Sequence, residues 1–260
     1  MKSLLQKLLA HPKARGLDPD APGTTLARRE IIAEKPFLKR LYEDWYGMLA
    51  AAVPEGPGRV AELGSGGGFL ASAIPGLVTS EVFPLPGVSL LADARALPFR
   101  PGSLKALIMV DVFHHVPDCR RFLKSAAACV RPGGAILMIE PWSTPLSRIV
   151  YRRLHHEPFE PAAQNWAFPS TGPLSGANGA LPWMVFRRDR ADFARLFPEW
   201  EISEIRPMTP FAYVLSGGVS MRSLLPGAAF PLVKGVERLL APAMHHIALF
   251  AFIRLARTGR

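Results

Sequence analysis

Short apolar segments alternate with connecting segments through the middle of the chain. Strands are predicted at Arg59–Leu63, Leu77–Val82, Val88–Ala92, Leu104–Asp111 and Ala135–Glu140, since each is a short run rich in Val, Ile and Leu. One helix is predicted after the glycines at 64–68, as far as about Ile74, and another over Asp118–Val130 with Asp118 as its N-cap. The turn Arg131–Gly134 follows it. Apolar strands alternating with helices indicate a parallel sheet covered on both faces.

The two ends of the chain show different patterns. Residues 1–11 and 28–52 have helical periodicity, and a Pro/Gly/Asp linker, Gly16–Gly23, separates them. After Glu140 the pattern predicts three helices, a strand and a long loop: helices Ser143–His155, Asp189–Phe197 and Leu232–Leu240, strand Trp200–Pro207 and loop Glu157–Pro182. For His246–Ala256 we prefer a final strand that completes the sheet over an amphipathic helix that contacts a membrane.

The segment VAELGSGGGFL, residues 60–70, has the form of a strand that runs into a glycine turn. The dinucleotide fingerprint needs a third glycine three positions after the second, and counted from Gly66 that position holds Phe69. Starting the count at Gly66 and Gly68 puts a tolerated alanine third but makes the strand register awkward. The better interpretation is Glu62-x-Gly64-x-Gly66-x-Gly68. A carboxylate there repels a pyrophosphate and suits a ligand with an amine and a sulfonium charge. No Lys-Ser/Thr follows, which excludes a Walker-type phosphate loop.

Together with later motifs, this loop resembles motif I of the class I S-adenosylmethionine-dependent methyltransferases, in their type 11-like, small-molecule branch. Glu81 in LVTSEV matches the acid that binds the ribose hydroxyls, and Asp93 in SLLADARALPF matches the acid at the adenine amine. The stretches ALIMVDVFHHVPD and RFLKSAAACVRPGGAILMIEP match the fourth strand, the next helix, its turn and the fifth strand. The resemblance covers about residues 58–141.

The resemblance implies an α/β fold of the Rossmann-like, doubly wound type, with a mostly parallel seven-stranded sheet. A helical N-terminal cap (1–52), a cofactor-binding core (53–141) and an acceptor-binding or lid region that completes the sheet (142–260) are expected. The implied cofactor is S-adenosyl-L-methionine, and the implied cofactor-binding residues are Glu62, Gly64, Ser65, Gly66, Gly68, Glu81, Asp93, Ala94 and Asp111. One departure stands out: the segment between Glu81 and Asp93 is too short and proline-rich for a crossover helix. Either that helix is lost or Glu81 is not on the neighbouring strand.

Candidate catalytic residues follow the fourth strand, where the carboxyl ends of the strands meet the cofactor crevice. They are Asp111, His114 and His115, and either histidine could act as a general base because its pKa lies near neutrality. The alternative is that a histidine caps the turn or packs against the cofactor. A second cluster, Tyr151, His155, His156 and Glu157, could line the acceptor pocket or bind a metal. It lacks the i, i+4 spacing that puts two ligands on one helical face, so no metal is expected.

Composition and charge limit the remaining choices. Hydrophobic residues make up 49% of the 260 positions, which indicates a folded chain, and Cys119 and Cys129 lie too far apart along one helix to pair, which favours a reducing compartment. The net charge of +10 is concentrated outside residues 41–140. A phospholipid surface, a phosphorylated substrate or RNA could explain these basic flanks, but an arginine-rich composition explains them as simply. We read no signal peptide at the start, and expect a cytoplasmic protein with peripheral membrane association as a hypothesis.

The acceptor is expected to be a small or lipid-like molecule, because the middle of the chain is neutral and the acceptor region is apolar. Trp142, Trp166 and Trp183 could cover it, or belong to an ordinary core. The rivals are a non-catalytic S-adenosylmethionine-binding regulatory or assembly protein, an NAD-dependent oxidoreductase and an RNA methyltransferase, although nucleic acid is an unlikely partner. The oligomeric state is open.

Overall fold

The computed structural model describes residues 9–18, 20–154, 157–170, 172 and 175–259. Within these ranges seven strands form one sheet in the order β3-β2-β1-β4-β5-β7-β6. The strands are β1 Arg59–Leu63, β2 Val78–Glu81, β3 Leu90–Leu91, β4 Leu104–Val110, β5 Val130–Pro141, β6 Trp200–Met208 and β7 Phe250–Arg257. Strands β1 to β5 pair in parallel, and β7 lies antiparallel between β5 and β6. The mostly parallel sheet and the final strand are therefore confirmed.

The centre of the sheet is its most apolar part. In β4, Ala106 to Met109 are fully buried, and so are Ala135 to Ile139 of β5. Residues that face both sides of a strand are buried together only where both faces of the sheet are covered. The continuous apolar runs that predicted these two strands thus reflect their central position.

The segment before the first strand contains two helices, α1 Pro22–Glu34 and α2 Pro36–Ala51, so a single helix over 28–52 and a linker as far as Gly23 were wrong. Lys35 between them is extended, with φ −107° and ψ 93°, because a following proline disfavours the helical conformation. Proline itself is well placed in the first turn of a helix, where its missing N–H is no loss. The helix predicted over 1–11 falls mostly on residues 1–8, which lie outside the described ranges.

The helix predicted after the glycine loop is wrong as well. Only a 3-10 turn, Leu70–Ser72, forms there. Pro75 restricts the residue before it, and Gly76 takes a positive φ of 74° that leads directly into β2. Residues 82–89, all of them described, form only bends and turns between β2 and β3. The crossover helix is thus lost, and Glu81 nevertheless lies on the strand next to β1.

The N-terminal helices pack on this helix-poor side of the sheet and hold the glycine loop. Arg29 of α1 donates to the carbonyl oxygens of Gly66 at 2.9 Å and of Pro86 at 3.1 Å. Tyr46 of α2 accepts a hydrogen bond from the N–H of Phe69 at 3.3 Å, and the two rings pack edge to face. The N-terminal helices therefore hold the glycine loop in place, as a long helix after the loop does in a regular βαβ unit.

The remaining helices are α3 Cys119–Cys129, α4 Pro145–Leu154, α5 Leu181–Trp183, α6 Arg190–Leu196, α7 Ala212–Ser216, α8 Phe230–Leu239 and α9 Met244–Ile247. Asp118 caps α3 as predicted, accepting from the N–H of Arg121 at 3.1 Å. The turn predicted at 131–134 belongs to β5, which begins at Val130. From 157 to 180 the described residues are irregular, as expected, and α5 continues into a π-helical turn at Met184–Arg188.

One hydrophobic core unites the three predicted segments of the chain, since Trp45, Ile108 and Phe252 all belong to it. Cys119 and Cys129 are both free and buried, as expected for a reduced protein. None of the helices in the described ranges is both long enough and apolar enough to span a bilayer.

Candidate functional site

A cavity of about 550 Å³ opens at the carboxyl ends of β1, β2 and β4. This is the end at which open parallel sheets bind their ligands. The strands and the turns after them contribute Glu62, the glycine loop, Glu81, Ala92 to Arg95 and Val110 to Val112. The helices α1 and α2 close the opposite side. The structure therefore brings all the predicted cofactor-binding residues to one cavity.

The glycine loop, residues 64–68, packs closely against neighbouring residues, so a Cβ atom added to its glycines would collide with them or be tightly crowded. Gly64 has φ +67°, and a Cβ atom there would lie 2.5 Å from Cγ2 of Val112. Gly66 has φ +32°, and its Cβ would meet Oε1 of Glu81 at 3.1 Å. A Cβ on Gly68 would collide with the hydroxyl of Tyr46. Glycine at these positions lets the backbone itself form the floor of the cavity.

Glu62 and Glu81 place two carboxyl groups beside this floor. Glu62 is 3% exposed, and burial raises its pKa to about 7, against a partial lowering by its hydrogen bond with Ser65. Glu81 accepts from the N–H of Gly66 at 2.8 Å and from that of Val82 at 3.1 Å. Burial raises its pKa too, although those two hydrogen bonds oppose the rise. Glu62 is buried, and the described residues give it no ion pair, which is the state expected of a site built for a positively charged ligand.

Asp93 and Ala94 form the far end of the cavity, after β3. The guanidinium of Arg95 pairs with the Asp93 carboxylate at 2.7 Å, and this hydrogen bonding holds the pKa of Asp93 below its usual value. The Asp93 side chain is 48% exposed. It is therefore ionised and accessible to a donor such as an exocyclic amine.

Asp111 follows β4 in a left-handed conformation, with φ 60°, which aspartate tolerates better than most residues. Its side chain lines the cavity and is 37% exposed. The position is deep enough that desolvation raises its pKa to about 7, with His114 pulling in the other direction. Tyr42 lines the same cavity, and burial together with the charge of Asp111 raises the pKa of its hydroxyl.

His114 is 1% exposed and does not line the cavity. Its Nδ1 atom lies 2.8 Å from Oε2 of Glu140, and the other oxygen of Glu140 accepts from the N–H groups of Val112 and Phe113 at 2.8 and 2.7 Å. Desolvation disfavours protonation, but the hydrogen bond to Glu140 and the carboxylate of Glu157, 3.4 Å from Nε2, outweigh it and raise the pKa of His114 well above its usual value. A histidine that is already protonated cannot accept a proton, so His114 does not fit the predicted role of general base.

His115 does line the cavity, and its Nδ1 lies 3.2 Å from the carbonyl oxygen of Gly176. Desolvation and the neighbouring charge of His114 lower its pKa to about 4. It is therefore neutral at physiological pH. Its Nε2 lies 3.7 Å from Oε1 of Glu157, so Glu157 of the second predicted cluster joins both histidines.

Tyr151 of that cluster does not line the cavity. Tyr151 is buried and donates to the carbonyl oxygen of Leu249 at 2.7 Å. His155 and His156 lie outside the described residues. The cavity lining includes none of the three tryptophans: Trp142 and Trp166 are buried, and Trp183 lies beneath the guanidinium of Arg148. The core interpretation of these tryptophans holds.

Sequence reasoning missed the residues that the N-terminal helices supply. Thr25 and Arg28 of α1 and Tyr42 and Tyr46 of α2 all line the cavity. Within the described residues, Arg28 forms no hydrogen bond or ion pair. The helical periodicity of 28–52 was visible, but nothing in it shows which face meets the glycine loop. Ser170, Gly172 and Val219 complete the lining from the C-terminal region.

Comparison with known proteins agrees with this geometry. The profile of the family described as "Methyltransferase domain" matches residues 78–138, just under a quarter of the chain. No curated protein matches. The match runs from β2 into β5, and the seven-stranded sheet around it has the Rossmann-like fold of the S-adenosylmethionine-dependent methyltransferases, so the matched domain and the fold together point to S-adenosyl-L-methionine as the cofactor.

Solved structures of that fold are similar over nearly the whole chain. Geranyl diphosphate C-methyltransferase from Streptomyces coelicolor A3(2), in complex with Mg²⁺, geranyl diphosphate and S-adenosyl-L-homocysteine, is 15% identical with a TM-score of 0.51; the alignment covers 96% of this chain and 89% of that one. Haemonchus contortus phosphoethanolamine N-methyltransferase 2, in complex with S-adenosyl-L-methionine, is 15% identical with a TM-score of 0.50, over 92% of this chain and 57% of that one. These similarities establish the fold.

Proposed function

We propose that the protein transfers a methyl group from S-adenosyl-L-methionine to a small or lipid-like acceptor held in the same cavity. One observation carries the proposal: a single cavity joins the glycine loop to an aromatic wall formed by Tyr42 and Tyr46, and four acids line it, Glu62, Glu81, Asp93 and Asp111. Its volume of about 550 Å³ is that of a small-molecule site. The two similar structures also belong to enzymes of small molecules, geranyl diphosphate and phosphoethanolamine.

The cofactor carries an electrophilic methyl group on its sulfonium, and the protein's part is to bind and orient. The residues assigned to it are Glu62, Gly64, Ser65, Gly66, Gly68, Glu81, Asp93, Ala94 and Asp111. Glu62 is suited to the amine and sulfonium charges, Glu81 to ribose hydroxyls and Asp93 to the adenine amine. Arg28 adds a cation that faces the cavity without a partner among the described residues, so we assign it to the carboxylate of the methionine moiety.

Asp111 is assigned as the group that takes a proton when the acceptor is a hydroxyl or a protonated amine. It lines the cavity on the side of Tyr42, whereas His114 is buried behind it. His115 also reaches the cavity and is the other group of the predicted set that could accept a proton. The position of the acceptor decides between Asp111 and His115, because a general base must lie within hydrogen-bond distance of the proton that it removes.

Incubation with methyl-labelled S-adenosylmethionine and a fractionated cell extract tests this function. Label is expected in the low-molecular-mass or lipid fraction, and it should decrease strongly with Asp111→Asn. Label in RNA or in protein instead would refute the small acceptor. Cofactor binding with no labelled product in any fraction would favour the regulatory alternative, whose one support is the lost crossover helix; the intact site speaks against it.

A second proposal concerns the membrane surface. Helix α8 packs on α2 and α7 and turns an apolar face outward, on which Leu232 is 73% and Leu239 82% exposed. An exposed apolar stripe on a basic protein is typical of peripheral membrane contact. In co-sedimentation with anionic vesicles, Leu239→Asp is expected to reduce binding, and Ile149→Asp, at an apolar position on α4 that is 52% exposed, is not. Wild-type protein that stays in the supernatant at low salt would remove this proposal.

A further inference from the structure

Among the buried nitrogen atoms of the described residues that have no hydrogen-bond partner, Nε2 of His114 lies beside the cavity and among polar groups. Nε2 of His114 is completely inaccessible, and Oε2 of Glu157 lies 3.4 Å away without hydrogen-bond geometry. A buried polar atom without a partner costs about 1–3 kcal/mol, so folded proteins rarely leave one. The arrangement around it therefore needs an explanation.

Three groups point toward the same small volume. Nε2 of His114 and Nε2 of His115 lie 3.4 and 3.7 Å from the two oxygens of the Glu157 carboxylate, and the three ligand atoms fall within 4.8 Å of one another. Zinc bonds to nitrogen and oxygen are about 2.0–2.2 Å, so two ligands of a tetrahedral ion lie roughly 3.4 Å apart. The two distances from ring nitrogen to carboxylate oxygen are close to that spacing.

The opposite nitrogen of each ring is already engaged. Nδ1 of His114 lies 2.8 Å from the Glu140 carboxylate, and Nδ1 of His115 lies 3.2 Å from the carbonyl oxygen of Gly176. Metal-binding histidines characteristically donate their second ring N–H to a carboxylate or a backbone carbonyl, which fixes the tautomer and directs the other nitrogen to the ion. Here both rings are held in that way, and both Nε2 atoms face Glu157. In the metal-free protein His114 is protonated, so an ion that binds at its Nε2 atom displaces a proton.

We propose that His114, His115 and Glu157 form a three-ligand site for a divalent transition-metal ion of the zinc type. Two imidazoles and a carboxylate suit such an ion better than magnesium or calcium, which prefer oxygen ligands. His115 also lines the large cavity, so the ion lies at its edge with room for a fourth ligand. With both imidazoles engaged, Asp111 is the base candidate that remains. The site itself does not depend on the proposed methyl transfer.

This site could not be predicted from the sequence, because its ligands come from two distant segments. The adjacent histidines follow β4, and Glu157 opens the long irregular region. The i, i+4 spacing of metal ligands applies to residues on one helix, so it does not identify this set.

The test is titration of the chelator-treated, full-length protein with Co²⁺, followed by visible absorption, with Zn²⁺ as competitor. One equivalent is expected to bind and to give the intense bands of a tetrahedral ion. Glu157→Gln and His115→Ala are each expected to weaken binding by at least about tenfold, with circular dichroism confirming that each variant is folded. His246→Ala changes the exposed pair His245–His246 and serves as the matched control, expected to bind normally.

Three results would overturn the proposal: wild-type protein that does not bind one equivalent, Glu157→Gln binding as tightly as wild type, or a loss of binding in the His246→Ala control. None of these readouts requires methyl transfer. A failed acceptor assay and a failed metal titration are therefore distinguishable.

Discussion

Replacement of Glu62 by glutamine separates the effect of this carboxyl group on the stability of the protein from its effect on cofactor binding. In the free protein, burial raises the pKa of Glu62 to about 7 from a usual 4.5, so the folded state favours the protonated form. The stabilising effect of that form is lost as pH rises from 4.5 through 7. Each pKa unit corresponds to about 1.4 kcal/mol, so above pH 7 the ionised group costs about 3 kcal/mol. Glutamine has the same shape and no such cost.

We therefore expect Glu62→Gln to raise the free energy of unfolding of the cofactor-free protein at pH 8 by an amount approaching 3 kcal/mol, and to leave it nearly unchanged at pH 4.5. Urea unfolding at both pH values measures this. Glu55→Gln, at an exposed position, is the control and should have little effect at either pH. A variant that is less stable than wild type at pH 8 would refute the reasoning.

The same variant should bind S-adenosylmethionine more weakly. If the ionised carboxylate is the form that receives the cationic cofactor, wild-type affinity decreases about tenfold per pH unit below pH 7, and the decrease is absent from Glu62→Gln. Calorimetry between pH 5.5 and 7.5 checks the slope. An affinity of wild type that is independent of pH in this range would show that Glu62 does not face the positive charge.

Three further substitutions test other parts of the account. Gly66→Val should abolish S-adenosylmethionine binding while leaving the fold largely intact, because its side chain would displace Glu81. Gly76→Val, also at a positive φ but in open space, should still bind in calorimetry. Arg28→Ala should raise the cofactor dissociation constant about tenfold, equivalent to about 1.4 kcal/mol, whereas the exposed Arg195→Ala should not. Glu140→Ala should destabilise the protein by about 3–5 kcal/mol in urea unfolding, since it leaves His114 charged and buried without its partner; a loss below 1 kcal/mol would contradict that pairing.

Much of the fold was predictable because the sheet is buried on both faces. The apolar runs at 104–111 and 135–140 predicted central strands, because predicted helices flank them. The apolar run near the C-terminus predicted the strand that completes the sheet. The errors on the other side of the sheet have local causes that were readable. Pro36 breaks the first long helix, and Pro75 with Gly76 prevents a helix after the glycine loop.

The cofactor half of the site was predictable for a related reason. Its residues follow consecutive strands, so their order along the chain determines their place at one edge of the sheet. Arg28 and Tyr42 were not found, because their position depends on how the N-terminal helices dock. The partnership of His114 with Glu140 and Glu157 was invisible too, since it depends on where β5 ends and where an irregular segment returns.

The central claim is that the cavity holds S-adenosylmethionine. Isothermal titration calorimetry of the full-length protein with S-adenosylmethionine, S-adenosylhomocysteine and NAD tests it most directly. The structure predicts that the first two bind with one-to-one stoichiometry and that NAD gives no heat of binding. Binding of NAD without binding of either sulfur compound would contradict the account.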